Sequence, residues 1–258
     1  MLPYKELSIN CRTNPDIPPP YSHIYDITVD ESPSYLTLSF RLRYTDRDEL
    51  SEEEILDEGF SQDDDFTWSG KLDKIWKRQL DALLEATRFH NNPSSGGDFT
   101  IEVMSKVENT EKKAYVAKKE TSGWIYFIQE LKQAILESEQ LEAPLTIEYL
   151  KTGNGPATHL VLNGSFANRT FTVRVNDRPV EQLEWPVLQK TINLIFNETE
   201  IDYEEAATGK PHAPGHYLLL PGVGWLQLGE GIRARFDDTP VLENIVKTMN
   251  SFISGRQS

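Results

Sequence analysis

The chain has 258 residues, 38% of them apolar, and a net charge of −15. That length admits one large domain or two small ones, with enough apolar side chains for a core. The acidic balance disfavours nucleic acid and anionic membranes, whose binding rests on neutralised phosphates.

Cys11 is the single cysteine, which excludes an intramolecular disulfide and fits a reducing compartment. The first ten residues, M-L-P-Y-K-E-L-S-I-N, contain neither the basic nor the apolar region of a secretory signal. No apolar run approaches the roughly 20 residues that cross a bilayer. The expectation is a folded cytoplasmic protein with no membrane attachment.

In chain order, the first predicted strands are His23–Val29 and Tyr35–Tyr44, joined by an E-S-P-S turn. Leu36, Leu38, Phe40, Leu42 and Tyr44 alternate with Thr37, Ser39, Arg41 and Arg43. That period of two marks an antiparallel strand with one buried face.

Asp46–Asp65 is an acidic insertion. Eleven acids and one base, Arg47, give it −10 of the total −15, leaving −5 for the rest of the chain. Ser51 and Glu54 have capping-box spacing, Leu50 and Ile55 stand in staple positions, and Gly59 suits a left-handed stop. These features predict a short helix over Glu52–Glu58, fixed to the body by Ile55, Leu56 and Phe60. Asp57 and Glu58 fall at its negative end, and Glu53–Asp57 and Glu54–Glu58 are like-charged i,i+4 pairs. A cation is therefore expected near Asp57, Glu58 and Asp63–Asp65.

Three sources of that cation fit. Lys71, Lys74, Lys77 and Arg78 follow closely and offer internal neutralisation. A divalent metal suits hard oxygen ligands, but the calcium-loop pattern is absent and consecutive acids do not converge on one point. A basic partner protein can be steered by the patch and anchored on an apolar residue such as Phe60. The candidate partner-binding residues are Glu54, Asp57, Glu58, Phe60, Asp63, Asp64, Asp65 and Trp68.

Phe66–Trp68 is too short to assign. Leu72–Phe89 is predicted as the first long helix, because Leu72, Ile75, Trp76, Leu80, Leu83 and Leu84 recur at helical spacing. It stops at the breakers N-N-P-S-S-G-G. Strands are expected at Asp98–Ser105 and Lys113–Lys119, then a helix at Gly123–Glu139. Glu142-Ala143-Pro144 is the expected seam, dividing an N-terminal half, 1–142, from a C-terminal half, 143–258. The second half reads as strands at Leu145–Leu150, His159–Leu162 and Phe171–Val175. A helix over Glu184–Phe196 follows, with Pro186 in its first turn, where a missing N–H costs little. A loop over Thr199–Gly215 precedes short strands at Tyr217–Pro221, Gly224–Leu228 and Ile232–Phe236. Pro240–Ile253 closes the chain as a helix.

This order predicts an α+β fold of mostly antiparallel strands with four main helices. F-T-V-R-V-N-D-R-P-V (171–180) aligns with I-R-A-R-F-D-D-T-P-V (232–241), while P-V-L-Q (186–189) matches P-V-L-E (240–243) in another register. These matches raise the expectation of two pseudo-repeated halves. Their strand-strand-strand-helix order resembles, in topology, the whirly single-stranded nucleic-acid binders. That resemblance implies a nucleic-acid-binding sheet, with Arg41, Arg174 and Arg235 as its strand-face candidates; the net charge opposes it.

Catalytic signals are weak. His212 and His216 have two-His metal spacing, but Pro214 and Gly215 oppose the helix it requires. Cys11 has no nucleophile motif around it, and G-x-S-x-G is absent. G-V-G-W-L-Q-L-G-E-G (222–231) reads as a hairpin. No catalytic residue, metal ligand or cofactor is assigned. The leading expectation is a non-enzymatic binding or adaptor protein with an acidic docking surface for a basic protein. The alternatives are a divalent-metal hydrolase using carboxylates of Glu54–Asp65, and the single-strand nucleic-acid binder.

Overall fold

The structure is a computed structural model that describes residues 3–93, 96–153, 155–236 and 240–255. Two compact units follow one another, Met1–Leu141 and Glu142–Ser258. The class is α+β, with mostly antiparallel sheets.

The first unit contains β1 (Glu6–Thr13), β2 (His23–Asp30), β3 (Leu36–Tyr44), α1 (Glu52–Asp57), β4 (Phe66–Leu72), α2 (Lys74–Ala86), β5 (Phe89–His90), β6 (Phe99–Val107), β7 (Thr110–Val116) and α3 (Thr121–Ser138). Its seven-stranded sheet has the order β4-β3-β2-β1-β6-β7-β5 and is antiparallel throughout. Alternation buries Leu7, Ile9 and Cys11 on β1, and Leu36, Leu38, Phe40 and Leu42 on β3. Arg41 and Arg43 are exposed on the opposite face. Helices α2 and α3 cover the apolar face with Trp76, Leu80, Leu84, Trp124, Ile128 and Leu131. Trp76 meets Phe127 edge-on at 5.9 Å between ring centroids, and the Trp124 indole donates to the Thr87 hydroxyl at 2.8 Å.

Three expectations need correction here. Leu72 ends β4 instead of starting a helix, because Asp73 accepts from the Ile75 amide and caps α2 one residue later. Phe89 belongs to β5, so the helix stops at Ala86. The central strand β1 was not predicted, although L-S-I-N-C alternates as clearly as β3 does over its shorter length. Cys11 is buried on it, and burial pushes its thiol pKa up to about 12.

The second unit contains β8 (Leu145–Thr152), β9 (Thr158–Ser165), β10 (Thr170–Val175), β11 (Glu181–Leu183), α4 (Trp185–Ile192), β12 (Thr199–Ile201), β13 (Gly215–Leu220), β14 (Gly224–Gln227), β15 (Ile232–Ala234) and α5 (Val241–Ser254). Its main sheet has the order β11-β10-β9-β8-β13-β14, and β12 pairs with β15. Leu160, Leu162, Phe171, Leu188, Ile245 and Met249 belong to its core. The helix expected to reach Phe196 gives way after Ile192 to a π-helical turn over Asn193–Asn197. The expected loop over Thr199–Gly215 contains β12 and a 3-10 turn at Tyr203–Glu205.

Val180 lies just before β11, whereas Val241 starts α5, so the longer sequence alignment joins unlike structures. Pro186 and Pro240 both stand at helix starts. Ser94 and Ser95 of the breaker loop, and Asp237–Thr239 of the aligned segment, lie outside the described residues. Among the described residues no helix is long and apolar enough to cross a membrane.

Candidate functional site

The acidic insertion folds as its local signals require. Ser51 Oγ accepts from the Glu54 amide at 3.3 Å, and Glu54 Oε2 accepts from the Ser51 amide at 2.8 Å. Gly59, at φ 78°, ends the helix in the left-handed region, and the Phe60 amide returns to the Ile55 carbonyl at 3.1 Å. Ile55 is fully buried. Leu56 is not: it is 56% exposed, against the expectation that it would help fix the helix. Six helical residues present one narrow face to the body, and Ile55 occupies it. Ser51→Ala removes the cap and is expected to cost about 1 kcal/mol of local stability, read as faster amide exchange across α1.

The cation beside the carboxylates is Arg47, the segment's own base. It is 7% exposed and donates to the Ser61 carbonyl and to Asp64 Oδ2, the latter at 3.0 Å. Asp64 also accepts from the Ser61 amide at 2.8 Å and the Ser61 hydroxyl at 2.7 Å. Partial burial opposes ionisation of Asp64. The two Ser61 donors and the guanidinium outweigh it and hold the carboxyl below the usual carboxylate range. Asp65 Oδ1 accepts from the Tyr44 amide at 2.8 Å, which ties the end of the segment to β3.

Internal neutralisation therefore exists, but not from the expected side chains. Lys71 is exposed on β4 opposite Thr37, Lys74 and Arg78 are exposed on α2, and Lys77 pairs with Asp81 at 2.5 Å. The Arg47 guanidinium carbon lies 3.6 Å from the Tyr44 ring centroid and 4.9 Å from that of Phe60. Among the described residues its buried Nε and Nη2 have no hydrogen-bond partner, and the ring contacts are the guanidinium's remaining electrostatic support.

On the Tyr44 and Phe60 rings that Arg47 contacts opens a cavity of about 230 Å³ at one end of the sheet. Thr13 ends β1, His23 begins β2, Tyr44 ends β3 and Phe99 begins β6, so antiparallel pairing gathers all four. Ile17 and Tyr21 come from the β1–β2 connection, Asp98 precedes β6, and Phe60 comes from the acidic insertion. The His23 ring meets Tyr25 at 5.0 Å and Tyr44 and Phe99 at 5.7 Å each. Phe60 meets Tyr21 at 5.5 Å and Tyr44 at 5.7 Å.

His23 Nδ1 lies 2.7 Å from the Tyr21 carbonyl and must carry a proton to donate there. Burial lowers the His23 pKa, Lys132 and Arg47 add to this, and the carbonyl only partly opposes it. The ring is therefore neutral at pH 7, with Nε2 as an acceptor. Tyr21 is 44% exposed, and its hydroxyl donates to Glu58.

The predicted partner-binding residues thus separate. Phe60 walls the cavity, and Glu58 holds its Tyr21 side. Asp64 and Asp65 fasten the insertion, and Glu54 caps α1. Asp57 and Asp63 are exposed. Trp68 lies on β4 and donates from its indole to Glu139 at 2.8 Å, within the helix-covered side of the sheet. The sequence reading missed Tyr21, His23, Tyr44 and Phe99. The aromatic starts and ends of alternating strands were the only available signal.

Other candidates remain dispersed. His216 stacks on Tyr149, 2.5 Å from its hydroxyl, while His212 is exposed in the preceding loop. His159 pairs with Glu148 at 2.5 Å. Arg174 is exposed on β10, and Arg235 donates to the Thr199 carbonyl at 3.2 Å. Among the described residues, no three His, Cys, Asp or Glu side chains form a metal-holding group. No protein-family model, curated protein or solved structure matches the chain.

Proposed function

We propose that the chain is a cytoplasmic binding or adaptor protein without catalytic chemistry of its own. Its docking surface is the end of the first sheet closed by Asp46–Asp65, and its partner is a basic protein. One observation carries this reading. Phe60 of the acidic insertion walls an open aromatic cavity, while the same insertion leaves Asp48, Glu49, Glu52, Glu53, Asp57 and Asp63 exposed. Apolar anchoring and charge steering thus come from one segment.

Leu56 adds exposed apolar surface to it. The hydrolase reading lacks comparable support, because Asp64 and Asp65 are engaged by Arg47, Ser61 and the Tyr44 amide. The test replaces Glu53, Asp57 and Asp63 together by Lys and compares the proteins retained from a lysate. Retention is expected to be salt-sensitive and lost in the variant; an unchanged partner set would overturn the reading.

A further inference from the structure

We infer that the cavity between Tyr21, His23, Tyr44, Phe60 and Phe99 takes one Trp or Tyr side chain of a basic peptide segment, whose Lys and Arg residues lie on the exposed carboxylates of Asp46–Asp65. This rests on the proposed docking function and names the partner chemistry.

The cavity interior disfavours a cation. Arg47 already lies 3.6 Å and 4.9 Å from the centroids of two wall rings, and Lys132 and Arg47 both bias His23 toward its neutral form. A second positive charge against the same rings would meet repulsion at close range. A neutral side chain meets none.

Size and shape favour an aromatic one. The cavity, about 230 Å³, exceeds the roughly 150 Å³ of a cavity that holds benzene. The wall rings already meet edge-to-face, as at Tyr21–Phe60 with an interplanar angle of 86° and Tyr44–Phe60 with 65°. A further ring extends that arrangement, whereas an aliphatic chain does not. His23 Nε2 adds a chemical requirement. With Nδ1 committed to the Tyr21 carbonyl, Nε2 accepts, and an indole N–H or a phenol O–H supplies the donor.

Outside the cavity the charge reverses. Glu52, Glu53, Asp57 and Asp63 are exposed there, and they complement Lys and Arg flanking the anchor; Asp98, also exposed, is the one carboxylate that borders the cavity itself. Buried cation, aromatic lining and acidic exterior therefore divide the work: the anchor enters neutral and the flanks bind charged.

The experiment measures binding of the full chain to short Lys/Arg-rich peptides carrying one Trp or Tyr, against the same peptides with Ala at that position and with Asp/Glu flanks. The aromatic basic peptides are expected to bind at least about tenfold more tightly than their Ala forms, as an anchor in a desolvated pocket does. Raising ionic strength from about 0.01 M to 0.15 M, which shortens the screening length from about 30 Å to 8 Å, weakens them. Tyr21→Ala and Phe60→Ala each remove most of the aromatic preference, with thermal unfolding confirming a folded chain.

Equal binding of aromatic and Ala peptides overturns the anchor. If that binding is also lost when Glu53, Asp57 and Asp63 become Lys, the acidic docking surface stands without it. Absence of peptide binding, with lysate partners still retained and still lost on charge reversal, likewise overturns the inference alone. Insensitivity to charge reversal in both experiments overturns both.

Discussion

Phe40→Ala is expected to destabilise the first unit by about 3–5 kcal/mol, the range for removing a fully buried aromatic ring. The position concentrates several contacts. Phe40 sits on β3 between Ile27 of β2 and Trp68 of β4 in register. Its ring lies 5.8 Å from Tyr25 and 6.1 Å from Phe66. Truncation leaves a void that neighbours on three strands cannot close, because each is fixed by ladder bonds on both sides or by the inner packing. Phe66 directly follows Asp65, so the loosened edge reaches the acidic insertion. A denaturant titration gives the total loss, and amide exchange is expected to show β4 losing protection before β1. A cost below about 1 kcal/mol would contradict this account of the core.

Arg47→Ala is the second large effect, at about 2–3 kcal/mol. The guanidinium is 7% exposed and its partner Asp64 is 31% exposed, so the figure lies below that for breaking a fully buried pair. Loss has three parts: an ion pair, the Ser61 carbonyl left without its donor, and packing against Tyr44 and Phe60. Arg47→Met restores the packing but not the pairing, and is expected to recover part of the loss.

The same cluster sets an acid response. The folded-state pKa of Asp64 is depressed, so its contribution is fully present above the unfolded carboxylate value of about 3.9 and is lost as pH falls through the lower folded value. Fluorescence of a reporter placed at Leu56 is expected to move in that acidic window, and the Arg47→Ala protein is expected to respond at higher pH.

Legibility in the sequence followed locality. The helix α1, its cap and its glycine stop depend on residues three to five apart, and all were readable. The alternation of β3 was readable because five apolar side chains mark one face. Strand β4 was not. Its core-facing positions run Phe66, Trp68, Gly70 and Leu72, and the glycine breaks the pattern. The Trp68 ring covers that gap; a Cβ on Gly70 would lie 2.3 Å from it. The site was least readable, since its walls come from six segments and its cation was hidden among eleven acids. Charge counting suggested that Lys71–Arg78 should answer the carboxylates. Ring contacts and a hydrogen bond to the Ser61 carbonyl gave that role to Arg47 instead.

Strand β1 is synthesised before the other strands of its sheet yet sits inside it, with β2 on one side and β6 on the other. The meander from β1 to β4 can assemble early, but β6 ends at Val107. At about 5–20 residues per second, the β1 edge then stays unpaired for on the order of ten seconds. During that interval Leu7, Ile9 and Cys11 lie along an open strand edge, which is a template for mispairing.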